Sequence, residues 1–111
     1  MELVLGTPLF MAPELLRQQK YNEKVDVWSL GCITYQLLCG VTPFDAKTLK
    51  KINYNICHLP LESIFDDRCW DSVSDDAKDF ILQCLVREIN ERPSINDLLH
   101  HPWIRCIPEP E

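Results

Sequence analysis

The chain has 111 residues, with 11 basic and 17 acidic side chains and a formal net charge of −6. That length holds one small domain, and a hydrophobic share of 46% with 25% charged residues excludes a disordered or low-complexity chain. The acidic balance argues against nucleic acid or an anionic membrane surface as the main partner, because both select a basic footprint; if anything it suits basic peptides.

In chain order, the residues up to Gly6-Thr7-Pro8 are expected to be extended or looped. Ala12-Pro13-Glu14 then opens a short helix, since proline is at home in a first turn and glutamate suits the positive helix end. Tyr21 to Lys24 is a polar loop. Asp26 is placed to cap a long helix that runs to about Cys39 and stops at Gly40. From Val27 to Phe44 there are 18 residues without a charge, but only 11 are apolar. A spanning helix needs about 20 predominantly apolar residues, so the run predicts a helix buried on nearly all sides inside a larger protein.

Thr42 to Asp45 is expected to turn, with Asp45 as N-cap of a helix over Ala46 to Ile56 carrying Leu49, Ile52 and Ile56 on one face. His58 to Val73 is irregular. Ser74 followed by Asp75 and Asp76 is a helix start, and Ala77, Phe80, Ile81, Cys84 and Leu85 then recur at helical spacing. Ser94 and Asp97 make a capping-box-like pair for a last helix. Its expected apolar stripe is Ile95, Leu98 and Leu99, with Trp103 packed just beyond. Ile107 to Glu111 is a frayed tail, so the expected domain is 1–106. With no repeat, no Gly-rich loop and no convincing strand, the fold class is all-α.

Cys32, Cys39, Cys57, Cys69, Cys84 and Cys106 never form a C-x-x-C pair, which argues against a zinc site, and no metal site is expected. Several lie in apolar helical patterns, where a free cysteine behaves as a small hydrophobe. Met1 leads directly into Glu2 without a basic region and apolar core. Reduced thiols in the cytosol or nucleus are therefore the expectation.

Five blocks are far more specific: G-T-P-L-F-M-A-P-E (Gly6 to Glu14), D-V-W-S-L-G (Asp26 to Gly31), L-L-C-G-V-T-P-F (Leu37 to Phe44), E-R-P-S (Glu91 to Ser94) and H-P-W-I (His101 to Ile104). In this order and spacing they resemble the C-terminal lobe of a eukaryotic protein kinase, from the end of the activation segment onward, over roughly Val4 to Ile104. The form of the first block is similar to serine/threonine kinases. The run from Trp70 to Ile81 with L-L-H-H-P-W resembles the calcium/calmodulin-dependent group, including calcium-dependent protein kinases. One departure is Glu88-Ile89, where the family usually has Asp-Pro ahead of its arginine.

The resemblance implies roles for particular residues. Taken singly, Glu14 and Arg92 are unrelated charges 78 positions apart; in the family such a pair locks the activation segment to the helical core, arginine offering a planar fork to the carboxylate. Asp26, besides capping, is implied to hold backbone amides of the catalytic loop. Gly6, Thr7 and Pro8 resemble the loop that receives the substrate residue after the phosphoacceptor, with Leu9, Phe10 and Met11 as apolar lining. Gln36 stands where some relatives preferring basic substrates carry glutamate. Trp28, Trp70 and Trp103 are expected as core anchors, and His58, His100 and His101 have no expected catalytic part.

The three glycines, Gly6, Gly31 and Gly40, cannot form G-x-G-x-x-G, and V-A-I-K, H-R-D and D-F-G are absent. ATP and magnesium are thus implied only for a complete domain, with no catalytic or cofactor-binding residue in these 111. The expectation is an incomplete kinase domain carrying the substrate-docking and structural part, arising from a truncated gene model, a degenerate copy or an internal start. Its expected partners are Ser/Thr-bearing protein or peptide substrates and the missing kinase portion, or another partner, covering the long helix. A noncatalytic interaction module and a degenerate remnant are the alternatives.

Overall fold

The computed structural model describes residues 9–105. Gly6, Thr7, Pro8 and the expected tail lie outside them. Six α-helices and two short 3₁₀ turns follow one another with no strand among the described residues, as the all-α reading requires.

Helix α1 (Pro13–Leu16) has proline in its first turn after an extended Ala12, where the missing N–H costs nothing. Helix α2 (Lys24–Cys39) begins before Asp26, which corrects the expected capping role. The Lys24 amide instead donates to Asn22 Oδ1 at 2.8 Å, leaving Asp26 exposed in the first helical turn. At its other end the expected stop is met: Gly40 takes the left-handed conformation at φ 92°, and its N–H reaches the Gln36 carbonyl at 2.7 Å.

Helix α3 (Leu49–His58) also starts later than its periodicity suggested. Thr48, not Asp45, is the N-cap and accepts from the Lys51 amide at 3.1 Å, while Asp45 Oδ1 accepts from neighbouring Ala46. The extra length of turn carries Phe44 into the interior. There it stacks on Trp28 at 5.5 Å, and its carbonyl accepts from Asn55 Nδ2.

The irregular stretch contains 3₁₀ turns at Leu61–Phe65 and Arg68–Trp70. Helix α4 (Asp75–Cys84) is capped by Ser74, whose hydroxyl accepts from the Ala77 amide at 3.1 Å. In α5 (Ile95–Leu98) Ser94 and Asp97 form the reciprocal capping box. The short α6 (Pro102–Arg105) ends the described chain.

The core is built on α2. One cluster gathers Trp28, Cys32, Tyr35, Phe44, Ile52, Ile56, Trp70, Ile81 and Leu85; a smaller one joins Val27, Phe80, Cys84 and Leu98. The α2–α4 crossing is the most extensive helix contact. It is set by Gly31, where a Cβ would fall 2.5 Å from Cys84 Cβ, so only hydrogen fits between the two helices.

Two expectations about the apolar pattern need correction. Only Leu98 of the last stripe is buried; Ile95 and Leu99 face outward, because α5 is a single turn and turns one side to α4 and α6. Trp103 is only half-buried, packed 5.1 Å from Phe80, whereas Trp28 and Trp70 are fully enclosed. The expectation that all thiols are reduced is also corrected: Cys39 and Cys69 are joined as a disulfide, their Cα atoms 5.9 Å apart. Thirty residues separate them, too many for any short motif to announce the pair.

Candidate functional site

The site is built where the peptide preceding α1 crosses α2. Ser29 lies on α2 and donates its hydroxyl to the Phe10 carbonyl at 2.9 Å, tying the incoming segment to the helix. Leu9 and Phe10 pack against the main core, and Met11 is half-buried beside them. Ala12, Pro13 and Glu14 then sink fully into the interior. Among the implied docking residues, Leu9 and Met11 are therefore described, while Gly6, Thr7 and Pro8 are not.

Glu14 meets Arg92 in that interior. The guanidinium donates from Nη1 to Oε2 at 2.8 Å and from Nη2 to Oε1 at 2.9 Å, a two-point fork between groups that are almost fully buried. Its remaining donors go to backbone carbonyls: Nε to Val86 at 2.7 Å, Nη1 to Lys24 at 2.9 Å and Nη2 to Arg87 at 3.4 Å. One side chain thus ties α1, the start of α2 and the chain leaving α4. Its cationic carbon also lies 5.3 Å over the Trp28 ring, within cation–π range.

Burial pushes the Glu14 carboxyl up, but the Arg92 hydrogen bonds and charge, its own backbone amide and the more distant Arg17 together hold it below its ordinary 4.5. It is a carboxylate at neutral pH. Such a pair positions backbone; it moves no proton.

Two polar groups were not signalled by the sequence. Arg87 donates to the carbonyls of Ile56 at 2.8 Å, Asn55 at 3.1 Å and Leu59 at 2.6 Å, closing the C-terminal end of α3. Burial lowers its pKa. His101 is buried, with Nε2 2.7 Å from Asp79 Oδ2 and Nδ1 accepting from the Trp103 amide at 3.0 Å. Accepting at Nδ1 leaves Nε2–H to donate to Asp79, so the ring acts as a structural bridge between α4 and α6. A histidine immediately before Pro-Trp is the only local signal, and its partner lies 22 residues upstream.

Asp26 and Gln36 are exposed on α2, and the Asp26 carboxylate has no hydrogen bond among the described residues. The described residues hold no cluster of three or more His, Cys, Asp or Glu placed for a metal ion. No helix among them is long and apolar enough to cross a membrane.

The family model for the protein kinase domain matches residues 1–104. The chain belongs to the protein kinase family. It is 44% identical over 106 residues to calcium-dependent protein kinase 5 of Plasmodium falciparum, covering 92% of this chain and 17% of that protein. Against myosin light chain kinase A of Dictyostelium discoideum it is 40% identical, covering 95% of this chain and 35% of the relative. A titin kinase structure superposes with a TM-score of 0.82 at 35% identity, covering 90% of this chain and 18% of that one. The twitchin kinase region of C. elegans gives 0.82 at 32% identity, with 96% and 18% covered.

The chain thus spans about a third or less of the length of these relatives, and it forms a partial kinase domain resembling the helical C-terminal lobe. A complete domain of this family uses ATP and magnesium and acts on protein substrates. The residues described here offer no matching metal-ligand cluster.

Proposed function

We propose that this chain supplies the substrate-docking and structural part of a serine/threonine kinase domain whose complete form transfers the γ-phosphoryl group of ATP to Ser or Thr of protein substrates. The observation that carries the proposal is the buried fork between Glu14 and Arg92, directly after a segment that Ser29 fastens to α2. A docking strand must be held still to orient a hydroxyl for transfer, and positioning is the main demand of phosphoryl-transfer catalysis. In this proposal Gly6, Thr7, Pro8, Leu9 and Met11 receive the substrate, while exposed Asp26 anchors a catalytic loop supplied from elsewhere in the domain.

A second observation supports incompleteness. On α2, Ile33 and Leu37 stand one turn apart and are exposed at 42% and 81%, and Val41, just past the helix end, is exposed at 53%. An exposed apolar patch at the C-terminal part of the central helix fits a surface covered by the remainder of the domain. The same patch supports the alternative of a noncatalytic module that binds a kinase or other partner.

A chimera decides between them. Residues 1–104 replace their counterpart in a related calcium-dependent kinase, and phosphate transfer to a Ser/Thr peptide is measured. Transfer that falls at least tenfold with Asp26→Ala supports the proposal. A chimera that is folded and binds ATP but transfers nothing overturns it in favour of the noncatalytic module.

A further inference from the structure

Five cysteines lie in three different settings among the described residues. Cys32 and Cys84 are fully buried in the core, and burial pushes both thiols up to about 12, which keeps them protonated and unreactive. Cys39 and Cys69 are half-buried, and their Cα separation of 5.9 Å lies inside the range a disulfide spans without backbone movement. Cys57, also half-buried, stands unpaired at the end of α3.

The location of the bridge gives it consequences. Cys39 ends α2 and Cys69 lies in the second 3₁₀ turn, so the bond pins the 59–73 segment to the central helix. That segment has little regular structure. Its other anchors are the Tyr35 hydroxyl donating to the Ile64 carbonyl and the rings of Tyr35, Phe65 and Trp70, with centroids 4.6 to 6.0 Å apart. The bridge also adjoins the exposed end of α2, where Leu37, Leu38 and Val41 stand.

We propose that Cys39 and Cys69 form a thiol–disulfide switch that clamps the 59–73 segment to the end of α2 when oxidised and loosens it when reduced. The oxidant is a small-molecule disulfide such as glutathione disulfide. One protein thiolate attacks it, forming a mixed disulfide and expelling one glutathione thiolate. The second protein thiolate then attacks the protein sulfur of the mixed disulfide and expels the other. Two protein thiols are oxidised, one glutathione disulfide becomes two glutathione thiols, and both protein protons leave with them. Excess glutathione reverses each step.

The test equilibrates the 111-residue chain in glutathione buffers of different ratio, quenches with acid, alkylates, and maps disulfide-linked peptides by mass spectrometry. Amide exchange is followed in parallel. The expected result is a peptide linking Cys39 and Cys69 in oxidising buffer that disappears in reducing buffer. Exchange in 59–73 should then accelerate about tenfold or more, as loss of a long-loop constraint implies, while α4 changes little. Cys39→Ser and Cys69→Ser should each abolish the response and Cys57→Ser should retain it; if one serine variant does not fold, the other suffices. Full alkylation of both cysteines at every ratio overturns the proposal. So does a Cys57-containing link as the main product, or a Cys39–Cys69 link that leaves exchange in 59–73 unchanged.

Discussion

Removing the guanidinium at position 92 should strand a carboxylate in the interior. Arg92 is 1% exposed and spends its five N–H donors on two Glu14 oxygens and three backbone carbonyls. Arg92→Ala therefore leaves a buried carboxylate without its counter-charge and opens a cavity against Trp28. Breaking one side of a buried ion pair costs about 3–5 kcal/mol, against a total domain stability of about 5–15 kcal/mol. Glu14→Gln keeps the shape but loses the charge, and should cost about 1.5–3 kcal/mol, the worth of hydrogen bonds to a charged group. In a cycle of Glu14→Met, Arg92→Met and the two combined, the double variant removes both charges and should be less destabilised than the sum of those two singles by at least about 1.5 kcal/mol. It should not regain full stability, since the carbonyls of Lys24, Val86 and Arg87 lose their donor. Urea unfolding followed by far-UV circular dichroism reads the parent and each variant. Single variants each within about 0.5 kcal/mol of the parent, with strict additivity in the double, would refute the reasoning.

Acid should act on the same pair. Because the folded state holds the Glu14 carboxyl below its ordinary 4.5, its contribution is complete above that value and is lost as pH falls through the lower folded value; in Glu14→Gln the acid limb of the urea midpoint against pH should be shallower. Gly31→Ala places a Cβ 2.5 Å from Cys84 Cβ and should cost about 1–3 kcal/mol or more. Since the clash is with Cβ itself, Cys84→Ala should not rescue it in the same urea assay. Arg87→Ala removes three carbonyl contacts from the end of α3 and should cost about 1.5–3 kcal/mol, with faster amide exchange concentrated near Leu59. Ser74→Ala should cost about 1 kcal/mol by freeing the Ala77 amide at the start of α4, measured as a lower urea midpoint with an unchanged slope.

Sequence patterns served best where one turn of chain decides the outcome. Ser74 and Ser94 each meet an amide three residues on, and Gly40 alone can adopt the left-handed stop of α2 without steric cost. They served less well where burial competes with capping. Asp45 is as good a cap as Thr48 by residue type, but the depth to which Phe44 must sink moves the start of α3 along the chain. Likewise Ile95 and Leu99 look apolar in a stripe, yet a one-turn helix buries only Leu98. The candidate site was legible in a different way. Nothing in the spacing of Glu14 and Arg92 links them; only the resemblance of whole motifs to a kinase lobe suggested that they meet.

The residues alone determined the helical class, the family and the local starts and stops, because those depend on side chains within a few positions of each other or on motifs kept in order. Tertiary structure alone decided which distant groups share the interior. Arg92 with three backbone carbonyls, His101 with Asp79 and Cys39 with Cys69 are brought together by how α1, α4, α6 and the 3₁₀ turns seat on α2. Such pairings follow from packing around one glycine-marked helix crossing and from the cost of leaving a buried charge unpaired, and neither is a property of any short stretch of chain.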